Sequence, residues 1–421
     1  MLLHGAIVFG ALVFSTEACT SSCAADGQLT PIIYDHDANI DDMVALPYLV
    51  KAGAFDLKAV IYTATGFTSS VIGLRNTVKV LEMLCMSHVD VGRSSLDGAF
   101  QSGKFPPGCD YAKYVPRTSI HDSDNLFGVI DDFLPYSSKA SGKFMSAADV
   151  YKKHVDAGVT TVLAIGPLTS LWDFKQKYPD SFAKLKTLYC MFGTFNARGN
   201  VFTAPGVPIE FNAVGDPHAA KEVLSADTLD DIILVPLDAT NDVPMTPDYM
   251  KELETLTTPE GAFVSKLTHG VQAGWFAGEY GFYGWVNSSG IVTDHSEADG
   301  YFFWDPLAVA LMIDPSLAEM KTAKVIVVAS DPPQANDGQT KVDDAGKLMK
   351  YADIVSEANA EKIRKDIKNA LSKECLQDQP LSISATVKVA ESMSTCGSLK
   401  AMYKEQACCK NPGKRLMSKT P

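Results

Sequence analysis

No stretch of the 421-residue sequence stays apolar for the roughly 20 residues that a membrane-spanning helix requires. The best candidate, Gly5–Phe14, has instead the length of a signal-peptide core, with small residues following at Ala18, Ala24 and Ala25. A signal segment over residues 1–25 is therefore expected. The expected address is secreted, with a vacuolar or lysosomal destination as the alternative. Positive charge is in short supply as well: 37 Lys and Arg face 50 Asp and Glu, a formal net charge of -13. That argues against a nucleic-acid partner, which asks for a basic face, and against docking on an anionic membrane once the signal is removed. Repeated CxxC pairs at zinc spacing are missing, as are internal repeats and long low-complexity stretches. With 46% apolar and 21% charged residues the chain is not disordered as a whole.

Short β-branched apolar runs alternate with helix-period stretches. Residues 31–35, 57–63, 160–165, 231–237 and 324–328 read as buried strands. Between the second and third, Val71, Leu74, Val78, Leu81 and Cys85 fall on one helical face. Such alternation predicts an α/β fold, an open, mostly parallel sheet flanked by helices. Ligands of such sheets sit beyond the carboxyl ends of the strands. The composition breaks near residue 373. Residues 373–421 hold eight Lys or Arg against four Asp or Glu, and Cys375, Cys396, Cys408 and Cys409. This predicts a catalytic domain over 28–372 and a basic, Cys-rich C-terminal extension stapled by disulfides. The glycosylation sequon at Asn287 agrees with secretion.

The most informative segment is Asp35-His36-Asp37-Ala38-Asn39-Ile40-Asp41-Asp42, directly after the first strand. Four carboxylates in eight residues repel one another, and here they abut the core, where solvent cannot relieve them. A bound cation resolves the conflict. Oxygen donors without Cys or paired His suit a hard ion, Ca²⁺ or Mg²⁺. The competing explanation, acidic residues offsetting a helix dipole, accounts for only Asp41 and Asp42.

The pattern Asp-x-Asp-x-x-x-Asp-Asp-x-x-Ala-Leu resembles the opening motif of the inosine–uridine-type nucleoside hydrolases. Later segments resemble that family in the same order: Gly193 after the strand ending at Met191, Gly199-Asn200-Val201, Glu210-Phe211-Asn212, Asp216-Pro217, Trp304-Asp305-Pro306, and Gly338-Gln339-Thr340. The resemblance spans roughly residues 30 to 372. It implies a nucleoside N-ribohydrolase with Ca²⁺ held by Asp37, Asp42, Asp305 and the main-chain carbonyl of Ile165. Asp37 is implied as general base. Asn39, Asp41, Met191, Asn200, Glu210 and Asn212 are implied at the sugar, and Trp304 and His121 at the leaving base. Asp35 is expected to orient Asn39 or a ligand. Trp304 stands where the pyrimidine-tolerant branch has His, so the resemblance leans to the purine-preferring branch. The Gly-rich, aromatic stretch Gly270–Gly300, with Trp275, Tyr280, Tyr283 and Trp285, resembles a lid over the base. A small-molecule nucleoside is the implied partner, and the family admits a homodimer. One departure is Phe67, where the family places a polar residue after Gly66. It keeps open a catalytically weakened relative that binds metal and a nucleoside or sugar. A Mg²⁺ phosphatase of the dehalogenase type also opens with Asp-x-Asp, but Asp305-Pro306 does not fit it well.

Overall fold

The computed structural model describes residues 29–66, 68, 70–94, 144–197, 199–200, 207–277, 301–331, 334 and 336–374. The signal segment, Phe67, His121, Tyr280, Tyr283, Trp285, the sequon at Asn287 and the four tail cysteines lie outside these residues, as does the side chain of Trp275. The chain divides into two units, Met1–Asp378 and Gln379–Pro421, and every described residue belongs to the first. Among the described residues, no helix is long and apolar enough to cross a membrane.

Among the described residues twelve strands follow in chain order: β1 Thr30–His36, β2 Phe55–Tyr62, β3 Asp90–Arg93, β4 Met145–Ser146, β5 Thr161–Ala164, β6 Thr187–Met191, β7 Asp231–Val235, β8 Pro244–Met245, β9 Tyr301–Phe302, β10 Glu319–Val327, β11 Thr340–Val342 and β12 Lys347–Ile354. All but β8 and β9 form one sheet in the order β11-β10-β12-β7-β6-β5-β1-β2-β3-β4. From β4 to β12 every neighbouring pair is parallel. The expected strand at 324–328 is present as β10, but it runs antiparallel to both β11 and β12. Its first half is largely exposed and its exposure alternates only from Lys324 to Val327, whereas β5 is a continuous buried run and β1 is one from Ile32 onward.

The helices that matter here are α1 Ile40–Ala52, α2 Ser70–Met83, α3 Ala147–Asp156, α4 Thr169–Lys177, α5 Phe211–Gly215, α6 Pro217–Leu224, α7 Pro259–Ala277, α8 Trp304–Ile313 and α9 Glu357–Ser372. Side chains alternate across β1. Ile32 and Tyr34 join the core under α1, α8 and α9, while Ile33 joins the core under α3, α4 and α6. The core face of α2 runs through Leu74, Thr77, Val80 and Leu81, and Val78 is only half-buried. Thr77 displaces the expected apolar register because its hydroxyl meets His36 Nε2 at 2.9 Å. Helix α7 continues to Ala277, so the start of the expected lid is helical backbone.

From β1 the chain proceeds outward to β2, β3 and β4, then returns to the other side of β1 as β5. The carboxyl ends of β1 and β5 thus flank a topological switch point, where open α/β sheets form their ligand crevice.

Candidate active site

Beyond β1 the backbone turns sharply. Ala38 takes a left-handed φ of 62°, which costs a non-glycine residue about 1–2 kcal/mol, and the surrounding contacts hold it there. The Thr68 hydroxyl donates to Ala38 O at 2.8 Å, and Tyr34 OH donates to Asp42 O at 2.9 Å. Asn39 then caps α1. The Asp42 carboxylate accepts the N–H groups of Asp37 (3.1 Å) and Asn39 (2.9 Å), and Asp37 Oδ1 accepts Asn39 N–H at 3.3 Å. The carboxylates are therefore locked into the loop by backbone donors that the same loop supplies.

Helix α8 brings Asp305 to this loop from far along the chain. Asp41, Asp42 and Asp305 each place a ligand oxygen within 4.8 Å of the other two, and all three are buried. The Asp37 and Asp42 carboxyl groups are in hydrogen-bond contact, as are those of Asp41 and Asp305. Burial first, and neighbouring carboxylates second, push the pKa values of Asp42 and Asp305 well above the usual carboxylate range. The basic group beside Asp42 is His36, 3.6 Å away, whose own pKa burial lowers to about 3, so it is neutral. Asp305 Oδ1 is buried with no hydrogen-bond partner among the described residues. A hard divalent cation fits this set: oxygen donors only, mutual repulsion to neutralise, and an orphaned oxygen to satisfy. The tightest triad holds Asp41. Asp37, implied as a ligand, meets the cluster through Asp42.

The opposite wall comes from β5 and β6. Ile165 N–H donates to Asp35 O at 2.8 Å, which seats the Ile165 carbonyl beside the β1 loop. Asn212 ties the two strand ends together: its amide donates to Ile165 O and to Met191 O, both at 3.0 Å. Glu210 caps α5, accepting Asn212 N–H at 2.7 Å and the Ala213 and Gly193 N–H groups at 3.0 Å each. Asn200 Oδ1 is buried without a partner among the described residues. Half-buried Trp304 packs beside Phe302, ring centroids 5.8 Å apart, one residue ahead of Asp305. The structure thus brings Asp37, Asn39, Asp41 and Asp42 together with Asp305, and gathers Ile165, Met191, Glu210 and Asn212 at the adjoining strand ends. His121 lies outside the described residues.

Asp35 does not point at Asn39. It lies on the other face of β1, where Thr63 Oγ1 (2.7 Å) and Tyr151 OH (2.5 Å) donate to it, and burial raises its pKa to about 7. A strand residue next to the site still alternates away from it. Sequence reasoning also missed Asp238, whose carboxylate captures the turn after β6. The available signal was its place: a lone acidic residue just beyond the carboxyl end of a buried strand.

Burial raises the pKa of Glu210 from 4.5 to about 7, against its three backbone donors. In the unfolded chain it ionises near 4.5, so between these values the folded state holds the extra proton. Stability should therefore fall as pH rises through that window, by on the order of 3 kcal/mol from this residue. The metal-free protein should melt at higher temperature at pH 5 than at pH 7.5, and Glu210→Gln should reduce that slope. An unchanged slope in Glu210→Gln would contradict the assignment.

An acidic, cation-ready pocket at the switch point of an open α/β sheet, walled by amide and carboxyl groups, has the form of a metal-dependent hydrolase site. Residues 32–366 match the family model of the inosine-uridine preferring nucleoside hydrolases, and the chain belongs to that family. It is a nucleoside N-ribohydrolase by family, acting on the N-glycosidic bond of small-molecule ribonucleosides, and the family depends on a metal ion. This sets aside the phosphatase reading. Nucleoside hydrolase 3 of Arabidopsis thaliana is 31% identical over 278 residues, 58% of this chain but only 31% of that protein. The non-specific ribonucleoside hydrolase RihC of Shigella boydii is 27% identical over 331 residues, 77% of this chain and 91% of its own length. Among solved structures, a plant nucleoside hydrolase superposes with a TM-score of 0.64 at 20% identity, covering 82% of this chain and all of that one.

Proposed function

We propose that this enzyme hydrolyses purine ribonucleosides with Ca²⁺ as its metal. The observation that carries the reading is the buried triad Asp41, Asp42 and Asp305 with its orphaned Asp305 oxygen. The Ile165 carbonyl, with a second lone pair free of its bond to Asn212, and the Asp37 carboxylate complete the oxygen donors. When bound, the ion supplies positive charge that acidifies a coordinated water.

The residues of the chain do the rest. Water adds at the sugar C1′ as the C1′–N bond breaks, the bonding pair leaving with the base. Asp37 accepts the proton of that water. The surrounding carboxylates favour the positive charge that develops on the sugar. Asn200, Glu210 and Asn212 meet the sugar hydroxyls, with Glu210 held by three backbone N–H groups that leave acceptor capacity on its carboxyl. Buried groups of this kind reject an analogue that lacks the hydroxyl, because they are then left unpaired. Trp304 offers an electron-rich face to the departing purine.

Release of free base from inosine, guanosine, adenosine and uridine tests the reading, and uridine turnover equal to or faster than inosine turnover would refute the purine preference. Trp304→Ala should lower kcat for inosine by roughly tenfold to a hundredfold and leave KM nearly unchanged, because stacking is used as the base departs. A change confined to KM would place Trp304 in ground-state binding only.

A further inference from the structure

The turn after β6 belongs to no regular element, yet five successive backbone N–H groups in it are captured by side chains. Gly193 donates to Glu210 Oε2 at 3.0 Å, and Thr194 to Thr340 Oγ1 at 2.9 Å. Phe195 donates to Asp238 Oδ2 at 2.8 Å, and Asn196 and Ala197 donate to Asp238 Oδ1 at 2.7 and 3.1 Å. The Thr340 hydroxyl passes its own proton to Thr194 O at 2.6 Å, so one side chain satisfies both backbone groups of that residue. The turn closes on itself where Thr194 Oγ1 donates to Ala197 O at 2.8 Å. Gly193, at φ 84°, packs so closely that a Cβ there would lie 2.8 Å from Thr340 Cγ2. The Phe195 ring rests on Tyr351, centroids 4.4 Å apart.

The acceptors come from three separate places: the cap of α5, the one-turn helix Leu237–Thr240 that follows β7, and the start of β11. The turn they hold joins Met191 to Asn200, and Asn200 Oδ1 is buried with no partner among the described residues. Gly199 packs against Ile209, where a Cβ would lie 2.3 Å from Ile209 N, so Asn200 and Glu210 are adjoined at that point, and the captured turn fixes the other end of the segment that leads to Asn200. Three charge-assisted bonds onto one carboxylate are the strong kind of hydrogen bond.

We propose that Asp238 and Thr340 are positioning residues of the sugar-binding turn. They preset the spacing between Asn200 and Glu210, acting through the backbone of 193–197. This rests on the nucleoside-hydrolase reading above.

Steady-state kinetics on inosine test it. Asp238→Ala and Thr340→Val, the second isosteric but without the hydroxyl, should each lower kcat/KM by roughly 100-fold, the scale of a 1 Å misplacement. Thr340→Ser, which keeps the hydroxyl, should restore most of the loss. Calcium affinity, read from the Ca²⁺-dependent rise in melting temperature, should be unchanged in all three variants, because the turn donates nothing to the carboxylate triad. A double-mutant cycle gives the sharpest readout: Asp238→Ala combined with Asn200→Ala should lose little more than Asn200→Ala alone. Should Asp238→Ala not fold, Asp238→Asn, which keeps one acceptor oxygen, carries the same cycle. Wild-type kinetics in Asp238→Ala and Thr340→Val, or losses that multiply with that of Asn200→Ala, would overturn the inference while the wild type still cleaves inosine. A wild type that neither binds nor cleaves any nucleoside would overturn the functional reading, and this inference with it.

Discussion

Asp305→Asn is expected to abolish calcium-dependent turnover, by a thousandfold or more, equivalent to about 4 kcal/mol of transition-state stabilisation. It is also expected to make the metal-free protein more stable. Asp305 is buried against Asp41 and Asp42, and its Oδ1 has no partner among the described residues. In the absence of a cation the Asp305 carboxyl is either charged against its neighbours or forced to take up a proton, and both cost stability that a neutral amide avoids. Asp42→Ala should behave differently. It also removes ligand charge, but it strips the acceptor from Asp37 N–H and Asn39 N–H at the start of α1. Loss of such a cap costs about 1 kcal/mol, so this variant should be inactive and less stable. Thermal melts with and without Ca²⁺ separate the cases. Wild type should gain several degrees from the ion, Asp305→Asn should start higher and gain nothing, and Asp42→Ala should start lower and gain nothing. A full calcium-dependent gain in Asp305→Asn would remove Asp305 from the metal site.

The parts of this site that were legible in the sequence are those whose physics is local. The Asp35–Asp42 segment announces itself because its charges are crowded against a core strand within eight residues. Asp305 lies far away in sequence and has no local oddity. Only the likeness of its Asp-Pro to a family pattern points to it. The parallel strands β1, β2, β5 and β7 were legible as apolar runs, since a strand covered on both faces shows no alternation, whereas β3 and β4, with Asp90 and Arg93 in one and only Met145 and Ser146 in the other, give no such run. The direction of β10 was not, because its last residues are as apolar as a parallel strand and only its partner β12 decides the matter.

What sequence could not reach is the pairing of polar groups across the fold. Thr77 in α2 interrupts an apolar helical face to serve His36, and Asp35 turns to Thr63 and Tyr151 rather than to the pocket. Asp238 and Thr340 reach one turn from two distant strand ends. Each is an ordinary polar residue by type, and its role exists only once the sheet order is known. The Glu210 motif implies sugar binding, and in the structure the same carboxylate caps α5. The two roles coexist because a carboxylate offers about four acceptor sites and three are used internally.

Gly66→Ala is the second change with a large expected effect, and its logic is one of space rather than of backbone freedom. Gly66 does not sit at positive φ, so alanine can adopt its conformation. A Cβ there would lie 2.0 Å from Asp37 Oδ2 and 2.4 Å from Asp37 Cγ, so the two cannot coexist. On its other side Asp37 is backed by Gly166, whose own Cβ would lie 3.0 Å from Asp37 N. Asp37 is therefore boxed between two glycines, and the added methyl must push its carboxylate out of line with Asp42. Overpacking of this kind costs about 1–3 kcal/mol, which a domain of this size survives. The displaced base should cost far more in catalysis: kcat should fall by roughly a hundredfold to a thousandfold, with KM little changed, because proton transfer demands hydrogen-bond reach. Gly158→Ala is the control. Gly158 lies at φ 105° with nothing within 4 Å of its Cβ position, so alanine there should lower stability through backbone strain and leave kcat untouched. If Gly66→Ala turns over inosine at the wild-type rate, Asp37 is not the base.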